Sequence, residues 1–146
     1  MSLPKYIFVL LYFHFCTAMM AQPQPHYNFE SITINNGLPH STVYRIVQDH
    51  DGFLWFGTQR GLIRYDGYTC RLFGQINTDS TGFLGKAVHA LWEDKNGNLW
   101  VGTHSGDLCL RDGQTGHFRY LTNENAFKSL VERRIQTIFE DASGKI

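Results

Sequence analysis

The chain has 146 residues, 42% of them hydrophobic and 14% aromatic, and its 13 basic and 13 acidic side chains leave a formal net charge of zero. That is enough apolar sequence for one globular unit with a core. With no basic run, the composition excludes a protein that holds nucleic acid by charge, and 14 glycines against four prolines indicate many tight turns rather than a low-complexity linker.

The first 21 residues stand apart. A charged start with Lys5 is followed by the apolar run "YIFVLLYFHFCTAMM", then Ala21 and the polar "QPQPHYN". This is the pattern of a secretory signal peptide, residues 1–21, with cleavage after Ala21 or, alternatively, Ala18. An apolar run of about 15 residues is short for a membrane span, which takes about 20, although an uncleaved anchor stays open. Cys16 lacks the Leu-x-Ala/Gly that precedes a lipid-modified cysteine. Export leaves Cys70 and Cys109 in the mature chain. Parity allows one disulfide, but the two occupy different places in the repeat described below, and two free, partly buried thiols are the favoured reading.

"NFESITI", Asn28–Ile34, reads as a lone strand that enters the first repeat through "GLPHS". Next comes "VYRIVQDHDGFLWFGTQRGLIRYDG", Val43–Gly67, and later "VHALWEDKNGNLWVGTHSGDLCLRDG", Val88–Gly113. In register, Asp49 matches Asp94, Gly52 matches Gly97, Trp55 matches Trp100 and Gly57 matches Gly102. The second copy then carries one extra residue. A third copy opens at Ile135 with "IQTIFEDASGKI", where Asp141 and Gly144 keep register and the pattern would next ask for Trp. The chain is therefore expected to be the N-terminal part of a longer protein.

A period of 45 to 47 residues indicates an array, solenoid or propeller. Each period holds four short strand-like runs joined by glycine turns. In "FLWFGT", Leu54 and Phe56 face one way and Phe53 and Trp55 the other, so both faces are apolar, as between stacked sheets. Four-stranded antiparallel sheets stacked face to face make an all-β fold, a β-propeller. The predicted blades are residues 43–73 and 88–121, with a partial third at 135–146, inside a propeller region spanning 22–146. Asn28–Ile34 is expected to pair with a last blade and close the ring, since closure removes open edges.

"DHDG" invites a calcium reading, but "DKNG" and "DASG" drop the third-position carboxylate and keep what a turn needs. Asp49, Gly52, Asp94 and Gly97 are read as turn residues. Trp55 and Trp100 are read as core between blades rather than sugar platforms, and Trp92 stays ambiguous. Gly57 and Gly102 are expected to admit a close neighbour, with the adjacent threonines bonding to the following turn. His40 and His50 read as isolated turn residues. No catalytic constellation, metal set or cofactor motif is present in the sequence. Positions that differ between copies are the recognition candidates. These are Gln59, Arg60, His104 and Ser105 on the second-to-third-strand turns, and Tyr44, Arg45 and His89 at the start of first strands, together ringing one mouth of the channel.

"V..I.QD.DGFLWFGT..GL.RYDG" after "GLPHS" resembles the two-component regulator propeller repeat, from about Phe29 to Ile146. Members of that family form the periplasmic sensor regions of Bacteroidetes-type hybrid sensor histidine kinases. The resemblance implies further blades and a membrane-linked kinase in the parent chain, an oligosaccharide ligand and transcriptional output through a phosphorelay. A homodimer is compatible with it. The second copy departs from the family pattern at "GDLCLRDG", which slightly perturbs its third strand. A secreted propeller enzyme such as a lyase, or a passive scaffold or dimerisation propeller, are the alternatives.

Overall fold

The computed structural model describes residues 26–74, 82–83, 87–123, 125–130 and 133–146; the predicted signal peptide, residues 1–21, lies outside them. Residues 26–31 belong to a separate unit in which Tyr27 and Phe29 are exposed and their rings lie 6.5 Å apart. The predicted strand Asn28–Ile34 is not laddered: Ile34–Asn36 is a 3-10 turn, anchored by the Leu38 N–H on the Thr33 carbonyl at 3.1 Å. A strand exists through its hydrogen-bonded neighbour, and no described residue supplies one here.

The repeat folds as two four-stranded antiparallel sheets. The first runs β1 (Val43–Gln48), β2 (Leu54–Thr58), β3 (Gly61–Tyr65), β4 (Cys70–Phe73) in spatial order. The second runs β5 (Val88–Glu93), β6 (Leu99–Thr103), β7 (Leu108–Arg111), β8 (Phe118–Tyr120) in the same order. Even the irregularities repeat, with a register shift at Val43/Arg45 in β1 and at Val88/Ala90 in β5. These are propeller blades, as the repeat predicts. The extra residue of the second copy is absorbed in the β6–β7 turn. Gly57 pairs with Leu62 in the first blade, Gly102 with Leu108 in the second, and β7 is one residue shorter than β3. Residues 135–146 form no ladder among the described residues, although their turn is already made.

The β1–β2 turn shows why Asp and Gly are retained. Asp49 accepts the Phe53 N–H on Oδ1 at 2.8 Å and the Trp55 indole N–H on Oδ2 at 2.7 Å. Asp94 accepts the Asn98 N–H at 2.9 Å and the Trp100 indole N–H at 2.9 Å. Gly52 and Gly97 take φ of 90° and 80°, the left-handed region that other residues enter at a cost. One carboxylate therefore closes the turn and fixes the tryptophan rotamer. Asp141 and Gly144 repeat the turn in the third copy.

The two faces of each blade look at different neighbours. Trp55 of β2 faces the second blade, where it is 1% exposed among Phe73, Phe83, Val88, Leu91, Leu99 and Val101. Phe56 faces the other way, against Leu38 and Ile63. In the second blade, Leu99 and Val101 therefore look back at the first, and Trp100 looks forward and is only half-buried. Leu91 is buried in this joint, whereas its counterpart Ile46 is 60% exposed, because no described blade lies behind it. A chain of rings, Trp55–Phe73–Phe118–Phe83, spans the joint with centroids 5.4, 5.8 and 5.1 Å apart. Guanidiniums flank the indole of Trp55: that of Arg111 lies 5.0 Å from its centroid, and that of Arg64 lies 6.0 Å away. Cys70 and Cys109, one in each blade, form no disulfide.

The glycine of each Leu-Trp-x-Gly-Thr admits the next repeat. A Cβ at Gly57 would lie 2.9 Å from both Cγ1 and the carbonyl oxygen of Val88, and one at Gly102 would lie 2.5 Å from Cγ2 of Ile135. Val88 and Ile135 are the matching first residues of successive copies. Close approach of the next copy's first residue thus explains both glycines.

His50 is not an isolated turn residue. Its ring Nδ1 lies 2.6 Å from Glu93 Oε1, and its backbone N–H donates to Glu93 Oε2 at 3.0 Å, which clasps the first blade to the second. The matching residues form the next joint: the Lys95 N–H donates to Glu140 Oε2 at 3.2 Å, and Lys95 Nζ lies 3.7 Å from Glu140 Oε1. The residue after each turn aspartate is therefore held by the glutamate that ends the next copy's first-strand segment. The hydrogen bond to Glu93, with a smaller contribution from Asp51, raises the His50 pKa above its ordinary value. The stability that this clasp contributes is complete below the unfolded-state pKa of about 6.5 and is lost as pH rises through the raised value. Melting temperature should therefore contain a component that falls from pH 6 upwards. His50→Lys, which copies the second joint, should remove that component in melts run from pH 5.5 to 8.5; an unchanged pH profile would show that the ring pair carries no linkage.

Candidate functional site

The second-to-third-strand turns and the starts of the first strands share one end of the blades. The ladder pairs Val43 with Thr58 and Val88 with Thr103, the His104 N–H donates to the Ala87 carbonyl at 2.9 Å, and the Ile135 N–H donates to the Thr103 carbonyl at 3.2 Å. Buried threonines hold the turns rigid. Thr58 Oγ1 donates to the Gly61 carbonyl at 2.9 Å, and Thr103 Oγ1 accepts the Asp107 N–H at 2.9 Å. The predicted bond from each threonine to its following turn is present in both copies.

Three of the candidate residues form one aromatic group. Tyr44 of β1 stacks on His89 of β5 with centroids 4.0 Å apart and planes 18° from parallel, and His104 of the β6–β7 turn lies 5.2 Å from His89. Arg45 joins them to the third copy, donating from Nη2 to the Gln136 carbonyl at 3.0 Å and from Nη1 to the Tyr44 carbonyl at 2.9 Å. Tyr44, His89 and Gln136 are matching positions in three successive copies, so the same register point lines this end. Burial, and then the charges of Arg134, His104 and Arg45, lower the His89 pKa below its ordinary value.

The remaining candidates differ. Gln59 and Arg60 are exposed on the β2–β3 turn, and no ring contact or salt bridge ties them to the Tyr44 group. Ser105 is engaged in its own turn, donating to Asp107 Oδ2 at 2.8 Å. Arg134 and Gln136 join the mouth although the sequence reading passed over them. The signal was available, since Gln136 falls in register with Tyr44 and His89.

Among the described residues, two further concavities stand out. One, of about 420 Å³, is lined by Leu108, Ile135, Ile138 and Phe139 and is apolar; Ile138 stands where Leu91 is buried in the first joint, so this is a blade-packing face. The other holds His50, Glu93 and Lys95, the clasp already described. Among the described residues no group of histidine, cysteine, aspartate or glutamate side chains could hold a metal ion, and no helix is long and apolar enough to cross a membrane.

Residues 37–60 and 82–105 match the family described as two component regulator propeller. The chain is 35% identical over 75 residues to "Histidine kinase P4" of Formosa agariphila, a match covering 51% of this chain and 6% of that protein. Among solved structures, it is similar to the extracellular domain of a hybrid two component system from B. thetaiotaomicron. The TM-score is 0.67 at 24% identity, over 79% of this chain and 16% of that one. The chain thus spans a small fraction of the length of either protein.

Proposed function

We infer, from a chain that carries two-component regulator propeller repeats, that it forms part of the exported, ligand-sensing region of a receptor histidine kinase. The similarity to a histidine kinase and to the extracellular domain of a hybrid two component system supports this reading. The ligand is an oligosaccharide, bound at the mouth where the copies diverge, and the kinase output lies in the parent protein across the inner membrane. This chain supplies recognition and no catalysis. The observation that carries the reading is the Tyr44–His89–His104 group, in which variable positions from two blades meet on an otherwise uniform scaffold. Conserving the packing glycines and tryptophans while varying these positions lets one fold serve many ligands. Signalling then requires the ligand to bind two receptor states with different affinity.

The test is calorimetric titration of an oligosaccharide panel against the longest exported product that contains residues 22–146. His104→Ala and Tyr44→Ala should each weaken binding by about tenfold, the loss of roughly one good contact, with melting temperature unchanged. Full affinity in both variants would remove the mouth as the site. Substrate turnover by the wild-type product would favour the secreted-enzyme alternative.

A further inference from the structure

We propose that this mouth recognises an oxyanion, a carboxylate or a sulfate carried by the ligand, through Arg45 and Arg134. The sugar character of the ligand rests on the reading above; the anionic character rests on the side chains themselves.

The geometry gathers cations from three copies. Arg45 leaves β1 and reaches the Gln136 carbonyl at 3.0 Å. Arg134 immediately precedes Ile135, whose N–H is bonded to the Thr103 carbonyl next to His104, so Arg134 and His104 flank one hydrogen bond. His89 lies between Tyr44 and His104. Burial, and then the charges of Arg134, His104 and Arg45, depress protonation of His89, and no carboxylate acts on it from the described residues. Glu132, two residues before Arg134, lies outside the described residues; Asp107, the acid nearest His104 in sequence, is turned into its own loop, where Oδ2 accepts from Ser105 at 2.8 Å and lies 3.2 Å from Thr103 Oγ1.

The donor inventory points the same way. A neutral sugar presents hydroxyls that both donate and accept, so its site needs acceptors as well as donors. Guanidiniums donate only, whereas a neutral imidazole donates from one nitrogen and accepts at the other. Arg45 spends two N–H groups on the carbonyls of Gln136 and Tyr44 and keeps others for a ligand. A set dominated by donors suits a group that only accepts, and charge-assisted pairs to carboxylate or sulfate are the strong ones. Such an anion also favours the imidazolium form of His89, so its affinity rises as pH falls towards that group's titration range.

The experiment compares three probes on the same exported product: an oligogalacturonide, a sulfated galacto-oligosaccharide and a neutral galacto-oligosaccharide. At least one anionic probe should bind about tenfold tighter than the neutral one, more tightly at pH 6 than at pH 8, and more weakly at 0.5 M than at 0.05 M salt. Which of the two binds distinguishes carboxylate from sulfate. Arg45→Gln with Arg134→Gln should abolish the preference, with at most a small drop in melting temperature from the lost bonds to the Gln136 and Tyr44 carbonyls. Equal or tighter binding of the neutral probe, or a preference that survives in the double variant, overturns the proposal. If the neutral probe binds and His104→Ala weakens it, the sensing reading stands and only the anion inference falls. If no oligosaccharide binds, but inorganic sulfate does and depends on both arginines, the anion site stands and the sugar reading falls.

Discussion

Trp55→Ala should destabilise the protein by about 3–5 kcal/mol, a large share of the roughly 5–15 kcal/mol that holds a typical domain together. Three contributions disappear at once. The indole is 1% exposed and joins the two blades through Phe73 and the second blade's Leu99 and Val101, so truncation opens a cavity at the joint. Its N–H leaves Asp49 Oδ2, a charge-assisted bond of 2.7 Å. Its ring face leaves the guanidiniums of Arg111 and Arg64. Trp55→Phe keeps most of the ring volume and isolates the bond to Asp49, so it should cost about 1.5–3 kcal/mol. Trp100→Ala should cost less than Trp55→Ala in this chain, because Trp100 is half-buried. Urea denaturation of the three variants measures this order. A loss below about 1 kcal/mol for Trp55→Ala would mean that the joint does not depend on the indole.

Gly57→Val should separate the first two blades. The φ of Gly57 is not in the left-handed region, so the substitution is opposed by space and not by backbone conformation. A Cβ there would stand 2.9 Å from Val88 Cγ1 and 2.9 Å from the Val88 carbonyl oxygen, and a backbone atom cannot swing aside. Overpacking of this kind costs about 1–3 kcal/mol for a single added methyl, and valine adds two further carbons. Val88→Ala in the same molecule would clear the Cγ1 contact and leave the carbonyl, so rescue should be partial. Gly67→Ala is the control: nothing lies within 4 Å of its Cβ, but φ is 94°, so only conformational strain is added. Thermal melts of the three variants are informative together. Complete rescue by Val88→Ala would show that the side chain, not the approach of the two backbones, sets the spacing.

The blades were legible because their signals are local. Strand alternation, the glycine turns and the 45-residue offset between Asp49 and Asp94 are all contained within one copy or in the comparison of two. Asn28–Ile34 was legible as an orphan, a strand whose partner belongs to a blade outside this sequence, and among the described residues it forms no ladder. Reading His50 as an isolated turn residue missed Glu93, 43 residues away, because no pattern within a single copy links a residue to the next blade. Laying the copies side by side would have exposed it: His50 and Lys95 match, and so do Glu93 and Glu140. The candidate mouth was legible as a set of variable positions and not as an arrangement. Tyr44, His89 and His104 meet, Ser105 turns inward to Asp107, and Arg134 and Gln136 arrive from a third copy.

By itself, the sequence determined the repeat, the four strands of each blade, the aspartate-glycine turn and the division of each central strand into two apolar faces. Alternation of side chains is a property of the backbone, so it survives any tertiary context. Only the tertiary structure decided which face looks to which neighbour. Trp55 turns towards the following blade and Phe56 away from it, the indole N–H finds its aspartate, and Val88 closes on Gly57. A period of two labels the faces without ordering them. The order comes from the stacking of one sheet against the next, and that is a contact between residues tens of positions apart.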